Sequence, residues 1–528
     1  MRTDTASPHG EQRDACAESS RPQHLELQRE LNDNLALIRI LDPPSPFDDD
    51  FRPSASEAVL GSNKQRRQTL LNFIAFCLAR DNNTVALATT IQRRSGASNQ
   101  LVLHIARSTG STTSYERERA VEFLNDLKQA WRTQAHGDVQ NVMGHVVQMT
   151  SSKLRKRLNK LRDALRDLRG GEGFASAVDA WGMEELSPHV FHWMTTCNCE
   201  SPVAALKNIV YKLAEAAASD NFDTPPLCEA RFHHRISHSY FFPVAVLLSS
   251  QFFHEVEFSH TSLAPDLVRL LRQLRRRCVK LRWYEIGVHL LCTCAREAVL
   301  RILGADAFDK FLREDGNDAL WIEWLETPGA MPEPMPRKHR TAQDALLSLL
   351  PTTSDASDDE EPFVCTIAHS PSATIYWTPT CVTVYHPELQ IIDHLCRREM
   401  RPSPAYIGCS LLACRACKFY VDQLDAYNMS LYTAGLDAMD LKAPTDWLIP
   451  PSRIGLVCAS IIRREAARLV LREDNIQRIA WEMRSTSETL GFDEAETPVN
   501  FVYKIYEVLE LMFCSCQVID DDPSPNWE

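Results

Sequence analysis

Apolar residues recur at three- and four-residue spacing through most of the first 330 positions. TLLNFIAFCLA, RAVEFLNDLKQAW, LKNIVYKLAEAAA, DLVRLLRQLRRR and YEIGVHLLCTCAREAVLRIL each carry such a stripe. This period predicts amphipathic helices. Strand-like alternation is sparse there, so residues 59–326 are expected to form a helical accessory domain. Gly170-Gly171-Glu172-Gly173 reads as a turn between two of its helices.

The pattern changes twice elsewhere. Residues 1–58 are rich in Ser, Pro, Asp and Arg, with one apolar patch (LALIRIL). They are expected to be disordered, apart from one helix near Leu25 to Leu41. Residues 327–361 run from a Pro-rich stretch through a short helical piece to the acidic run Ser354 to Glu361, which predicts a linker. From Pro362 the texture becomes β-branched and aromatic. PFVCTIAH, ATIYW and CVTVY read as strands, PELQIIDHLC as a helix, AYIGCS as a strand and CRACKFYVDQL as a second helix. Pro387 suits a first helical turn, where its missing N–H costs nothing. The resulting division is an α/β domain over 362–450, a helical extension over 451–518 and a disordered tail over 519–528. The expected class is therefore α+β, a large all-helical N-terminal region followed by a C-terminal α/β domain with a helical extension.

Charge and composition narrow the chemistry. The 528 residues carry a net charge of -13. That disfavours a protein that coats duplex DNA, because such affinity comes from Lys and Arg neutralising phosphates. The first twenty residues are polar and lack the apolar core of a signal peptide. The longest apolar candidate, Phe241 to Phe253, is short and contains Pro and Ser, so it reads as a buried helix rather than a membrane span. The expectation is an intracellular protein, cytoplasmic or nuclear, whose 17 cysteines are reduced. Most of them, including the Cys197/Cys199, Cys292/Cys294 and Cys514/Cys516 pairs, read as buried apolar residues. His233, His234 and His238 share no clear ligand spacing with a carboxylate or a cysteine.

One constellation departs from this background. His386-Pro387-Glu388 stands at an expected strand-to-helix junction, and Ser410-Leu-Leu-Ala-Cys414-Arg-Ala-Cys417 at the next one. One imidazole and two thiolates make three ligands for tetrahedral Zn²⁺ and leave the fourth position open, the pattern of a catalytic site. Cys414 and Cys417 are three apart, so both sulfurs share a face of a first helical turn. Glu388 beside the first ligand is the expected proton carrier, since hydrolysis of an exocyclic amine needs one group to take a proton and give it back.

These residues resemble the cytidine deaminase-like superfamily, whose signature is H-x-E followed by P-C-x-x-C. YIGCSLLACRACKFY is most similar to a branch of nucleic-acid or nucleotide deaminases found in fungi and some intracellular bacteria. SLYTAGLDAMDLKAPTDWLIP is more weakly similar to the strand region that follows in that branch. The resemblance implies a mixed sheet of about five strands sandwiched by helices. It also implies zinc ligation by His386, Cys414 and Cys417 and proton transfer by Glu388. Ser410 matches a small hydroxyl residue four positions before the first Cys, and is a candidate substrate contact. Ala413 stands where the family has Pro. The implied function is zinc-dependent deamination of cytosine or adenine in a nucleotide or single-stranded nucleic acid. The alternative is a non-catalytic protein in which zinc holds the fold and the helical region binds a protein partner.

Three basic features remain. Lys153 to Arg169 and Arg275 to Arg282 read as solvated helix faces, with single-stranded nucleic acid as the rival. Arg397, Arg398 and Arg401, just after the Glu388 helix, are the candidates for tracking a phosphate backbone.

Overall fold

The computed structural model describes residues 9–41, 62–79, 84–93, 99–108, 114–168, 172–182, 187–219, 235–258, 263–313, 320–325, 334–349, 377, 380–410, 414–426, 432–433, 447–448 and 453–470. Several expectations lie outside them. These are the turn at Gly170-Gly171, the strands over 362–376, the linker's acidic run, His233, His234, Ala413, the Cys514/Cys516 pair and everything after residue 470.

The class is the expected α+β one. Its centre is a five-stranded mixed sheet of β1 (Val85–Arg93), β2 (Asn99–Arg107), β3 (Leu320–Trp324), β4 (Tyr406–Cys409) and β5 (Tyr432–Thr433). The strands lie in the order β3-β2-β1-β4-β5. β1 and β2 pair antiparallel over nine residues, from Val85 opposite Arg107 to Arg93 opposite Asn99. β1 also pairs antiparallel with β4, while β3 runs parallel to β2 and β5 parallel to β4.

The all-helical expectation for 59–326 is corrected at three places. VALATTIQR and NQLVLHIAR form the central hairpin of the sheet, and LWIEW forms one of its edges. Both hairpin strands are nearly continuous in burial. A strand covered on both faces loses the alternation that marks a half-exposed one. The sheet thus takes strands from both sides of the expected linker.

The helix expected near Leu25 to Leu41 is present and starts earlier in the chain. α1 (His9–Leu41) is one long helix, and its last turns are buried from Leu31 to Leu41. LALIRIL is apolar nearly all round because it is covered nearly all round. α1 packs along α7 (Arg453–Val470), and Arg463 Nη1 reaches Glu30 Oε1 at 3.0 Å.

Two apolar cores result. One is built from the helices between residues 70 and 320. The other joins α1, the sheet, α5 (Pro387–Arg397), α6 (Arg415–Ala426) and α7. The helix α2 (Asn63–Leu78) is the wall between them. Leu70, Phe73, Phe76 and Cys77 face the helical core, while Leu71 and Ala75 face the sheet core. A Ser62/Gln65 capping box starts α2. Gly408 in β4 lets this wall come close. A Cβ built there meets Leu71 backbone carbon at 2.6 Å.

The basic helices have structural duties. In α3 (Ser151–Asp167), Leu154, Leu158 and Leu161 are buried, and in α4 (Pro265–Leu290), Leu271, Leu274 and Leu281 are buried. Arg157 donates to Lys280 O at 2.7 Å and stacks over Phe76, so at least part of this charge is spent inside the fold.

Candidate metal centre

Two helix starts build the site. His386 is the N-cap of α5, with Pro387 in the first turn as expected. The backbone of His386 accepts from the amides of Leu389 and Gln390 at 3.0 and 3.2 Å. Leu389, Ile391, Ile392 and Leu395 then bury the inner face of α5 against the sheet. Each such side chain contributes about 1.5–3 kcal/mol. Gln390 locks the entry by donating to Arg107 O and Tyr385 O, both at 2.7 Å. On the other side, Cys414 caps α6, accepting Lys418 N at its carbonyl at 3.0 Å, and Cys417 lies in the first turn. Two positive helix ends therefore meet where negative charge is wanted.

The ligand atoms converge. His386 Nδ1 lies 3.6 Å from Cys414 Sγ and 3.4 Å from Cys417 Sγ, and the three ligand atoms lie within 4.8 Å of one another. Zn–S and Zn–N bonds of ordinary length at a tetrahedral angle separate N and S donors by about 3.6 Å. The donor set and its spacing fit Zn²⁺.

Electrostatics divide the thiols. Burial works to raise Cys414, but hydrogen bonding with Cys417 and the charge of His386 outweigh it and bring Cys414 down to about 5. Cys417 is pushed well up by burial, by its neighbour Cys414 and by the carboxylate charge of Glu388. The two thiols are thus pushed in opposite directions. Metal ligands of this type must be deprotonated, so binding of a divalent ion favours loss of both protons. Glu388 sits at the second position of α5 and is 7% exposed, close enough for its charge to bear on Cys417. A buried carboxylate near such a cluster is suited to carrying a proton.

The sequence reading missed Trp447. Its indole N–H donates to Cys417 Sγ at 3.3 Å, and its backbone pairs with Val384 just ahead of the His386 turn. No local spacing connects Trp447 to either motif. Asn72 is a second missed support, since it accepts Cys409 N at 3.0 Å and donates to Tyr406 Oη at 2.9 Å, holding β4 in place.

Other candidates stand elsewhere. Ser410 is buried and its hydroxyl accepts Val85 N at 2.9 Å, so it ties the end of β4 to β1. Arg397 pairs with Asp393 at 3.0 Å and Arg398 with Glu323 at 3.1 Å, and both side chains stay exposed. Arg401 is exposed. Cys197 and Cys199 are half-buried, and Cys294 is buried.

A second cluster lies at the far end of α5. His104 Nδ1 is 3.0 Å from Glu323 Oε2, and His394 Nε2 is 3.6 Å from the same oxygen. Burial pushes His104 down to about 4 despite the neighbouring carboxylate, and burial also lowers His394. Nothing in the local sequence joins these three residues.

No helix among the described residues is long and apolar enough to cross a membrane. No curated protein and no solved structure matches the chain. Residues 385–451 match the family model described as an OTT_1508-like deaminase. The segment that carries His386, Glu388, Cys414 and Cys417 is thus similar to a deaminase family, broadly cytidine deaminase-like.

Proposed function

We propose that the protein is a zinc-dependent deaminase acting on a cytosine or adenine base of a nucleotide or single-stranded nucleic acid. His386, Cys414 and Cys417 hold the ion. Bound Zn²⁺ supplies a water acidified towards neutrality. Glu388 would take one proton from the attacking water and pass it to the ring nitrogen, then carry the second proton, from the hydroxyl added to the ring carbon, to the departing amine. The carbon–nitrogen bond breaks, ammonia leaves and a carbonyl remains on the ring. The α5 and α6 N-termini stabilise the negative charge of the ligand set throughout.

One observation carries this reading. An imidazole and two thiols, spaced as a tetrahedral zinc requires, stand beside the buried carboxylate of Glu388 within a deaminase-family segment. Preference for a single strand follows from the burial of Cys417 and Glu388, because a stacked base must be extracted to reach them.

The test is ammonia release by the full chain from a panel of bases, nucleosides, nucleotides and single-stranded DNA and RNA. The expected result is turnover of at least one member. Glu388→Gln should keep its zinc and lose about 10²- to 10⁴-fold in rate. Zinc binding with no turnover of any member would favour the non-catalytic reading, in which the ion holds the fold.

A further inference from the structure

We infer that the protein has a second metal site, for a divalent first-row transition metal, formed by His104, Glu323 and His394. It lies outside the deaminase centre. His386 and His394 are eight residues apart on α5, about 12 Å along its axis.

The site follows from strand register. His104 in β2 and Glu323 in β3 are directly paired, so their side chains emerge on the same face of the sheet. α5 packs across β1 and β2 and brings His394 over that pair. The two imidazole rings stand 5.0 Å apart and tilted by 52°, converging on one carboxylate oxygen rather than stacking.

Each neighbour leaves the inward donor atom available to an ion. Thr90 Oγ1 lies 2.8 Å from His104 Nε2, which orients the ring and aims Nδ1 at Glu323. Second-shell contacts of this kind fix ligand tautomers in metal sites. Arg398 takes Glu323 Oε1 at 3.1 Å and leaves Oε2 for the imidazoles. His104 is fully buried, yet its Nδ1 makes no hydrogen bond of acceptable geometry, and neither does His394 Nε2. Two imidazole nitrogens facing one carboxylate oxygen form a donor set that an ion can share.

The spacings are those of an ion. Bonds of about 2.1 Å at a tetrahedral angle separate two N or O donors by about 3.4 Å. The values here are 3.0 and 3.6 Å, with all three donors inside 4.8 Å. Two imidazoles and one carboxylate suit zinc, iron, cobalt or nickel rather than calcium or magnesium. Glu323 and His394 also line a cleft of about 380 Å³ shared with Trp324, Tyr385, Asp393 and Arg397. Three protein ligands leave further coordination positions, and that cleft is their route to solvent.

Cobalt(II) is the probe, because thiolate ligands give it a charge-transfer absorption that nitrogen and oxygen ligands do not. The metal-free full chain should bind two equivalents. Cys414→Ser with Cys417→Ser should bind one, without the thiolate band, and adding His394→Ala should abolish it. His394→Ala in the wild-type background should halve total cobalt and leave the thiolate band unchanged, which keeps the test independent of the folding of the cysteine variant. A single equivalent that carries the thiolate band in wild type, or a cobalt stoichiometry unchanged by His394→Ala, would overturn the site. Deaminase activity does not enter these readouts, so failure of the proposed function leaves the test intact.

Discussion

The indole of Trp447 donates its N–H to Cys417 Sγ at 3.3 Å, while its backbone carbonyl accepts Gln28 Nε2 at 2.8 Å. One residue thereby links the N-terminal helix to a thiol whose ionisation burial opposes.

Trp447→Phe should preserve the packing and remove only the donor. Outer contacts to metal ligands are typically worth about 10- to 100-fold in affinity. Zinc affinity, measured by competition with a chromophoric chelator, should fall by about that factor with the helical circular dichroism unchanged. Unaltered affinity would make the indole a packing residue only.

Gly408→Ala should destabilise the fold. The added Cβ would meet Leu71 backbone rather than a movable side-chain tip. Overpacking of this kind costs about 1–3 kcal/mol. The urea midpoint should drop with the slope unchanged. Gly137→Ala is the matched control, because nothing lies within 4 Å of its Cβ and the residue is helical. It should be neutral or stabilise by up to about 1 kcal/mol.

Arg337 and Asp33 form a buried pair at 3.4 Å, with side chains 1% and 2% exposed. Arg337→Met should cost about 3–5 kcal/mol by stranding a buried carboxylate. Adding Asp33→Leu should recover much of it, since an apolar pair of similar volume avoids the desolvation. Asp33 also has a pH signature. Burial raises it above 3.8, although His339 and Arg337 pull the other way. The folded state then holds this proton more tightly than the unfolded chain. Its contribution is full below 3.8 and is lost as pH rises through the folded value. Stability relative to Asp33→Asn should therefore decline as pH rises from 3.8. A difference that grows with pH would contradict this.

Cleavage of the acidic run should not release two halves. With a protease site inserted between Ser354 and Glu361, the fragments should co-elute on size exclusion. β1 and β2 precede the cut and β4 follows it, yet they share one sheet, and α1 lies against α7. Separate elution without denaturant would mean that these contacts are too weak to hold.

Local chemistry was legible in the sequence. Pro387 marked the start of α5, AYIGCS the strand β4 and CRACKFYVDQL the helix α6. The His386, Cys414 and Cys417 cluster followed from their residue types and the two junctions. What was illegible is what depends on partners far along the chain. VALATTIQR is a strand because it is covered on both faces, and burial on both sides erases alternation. Ser410 carries a hydroxyl at a suggestive spacing, but the amide it serves belongs to Val85. His104, Glu323 and His394 lie on three elements and meet only through strand register and helix packing.

The bond between Val85 and Ser410 spans 325 positions. On a ribosome, β1 emerges on the order of tens of seconds before β4, at about 5–20 residues per second. For that interval the hairpin presents an edge whose amides and carbonyls await a strand not yet made. Such an edge pairs with whatever reaches it first. The nascent chain must therefore be kept from its neighbours while the segment from His386 to Cys417 is still being translated.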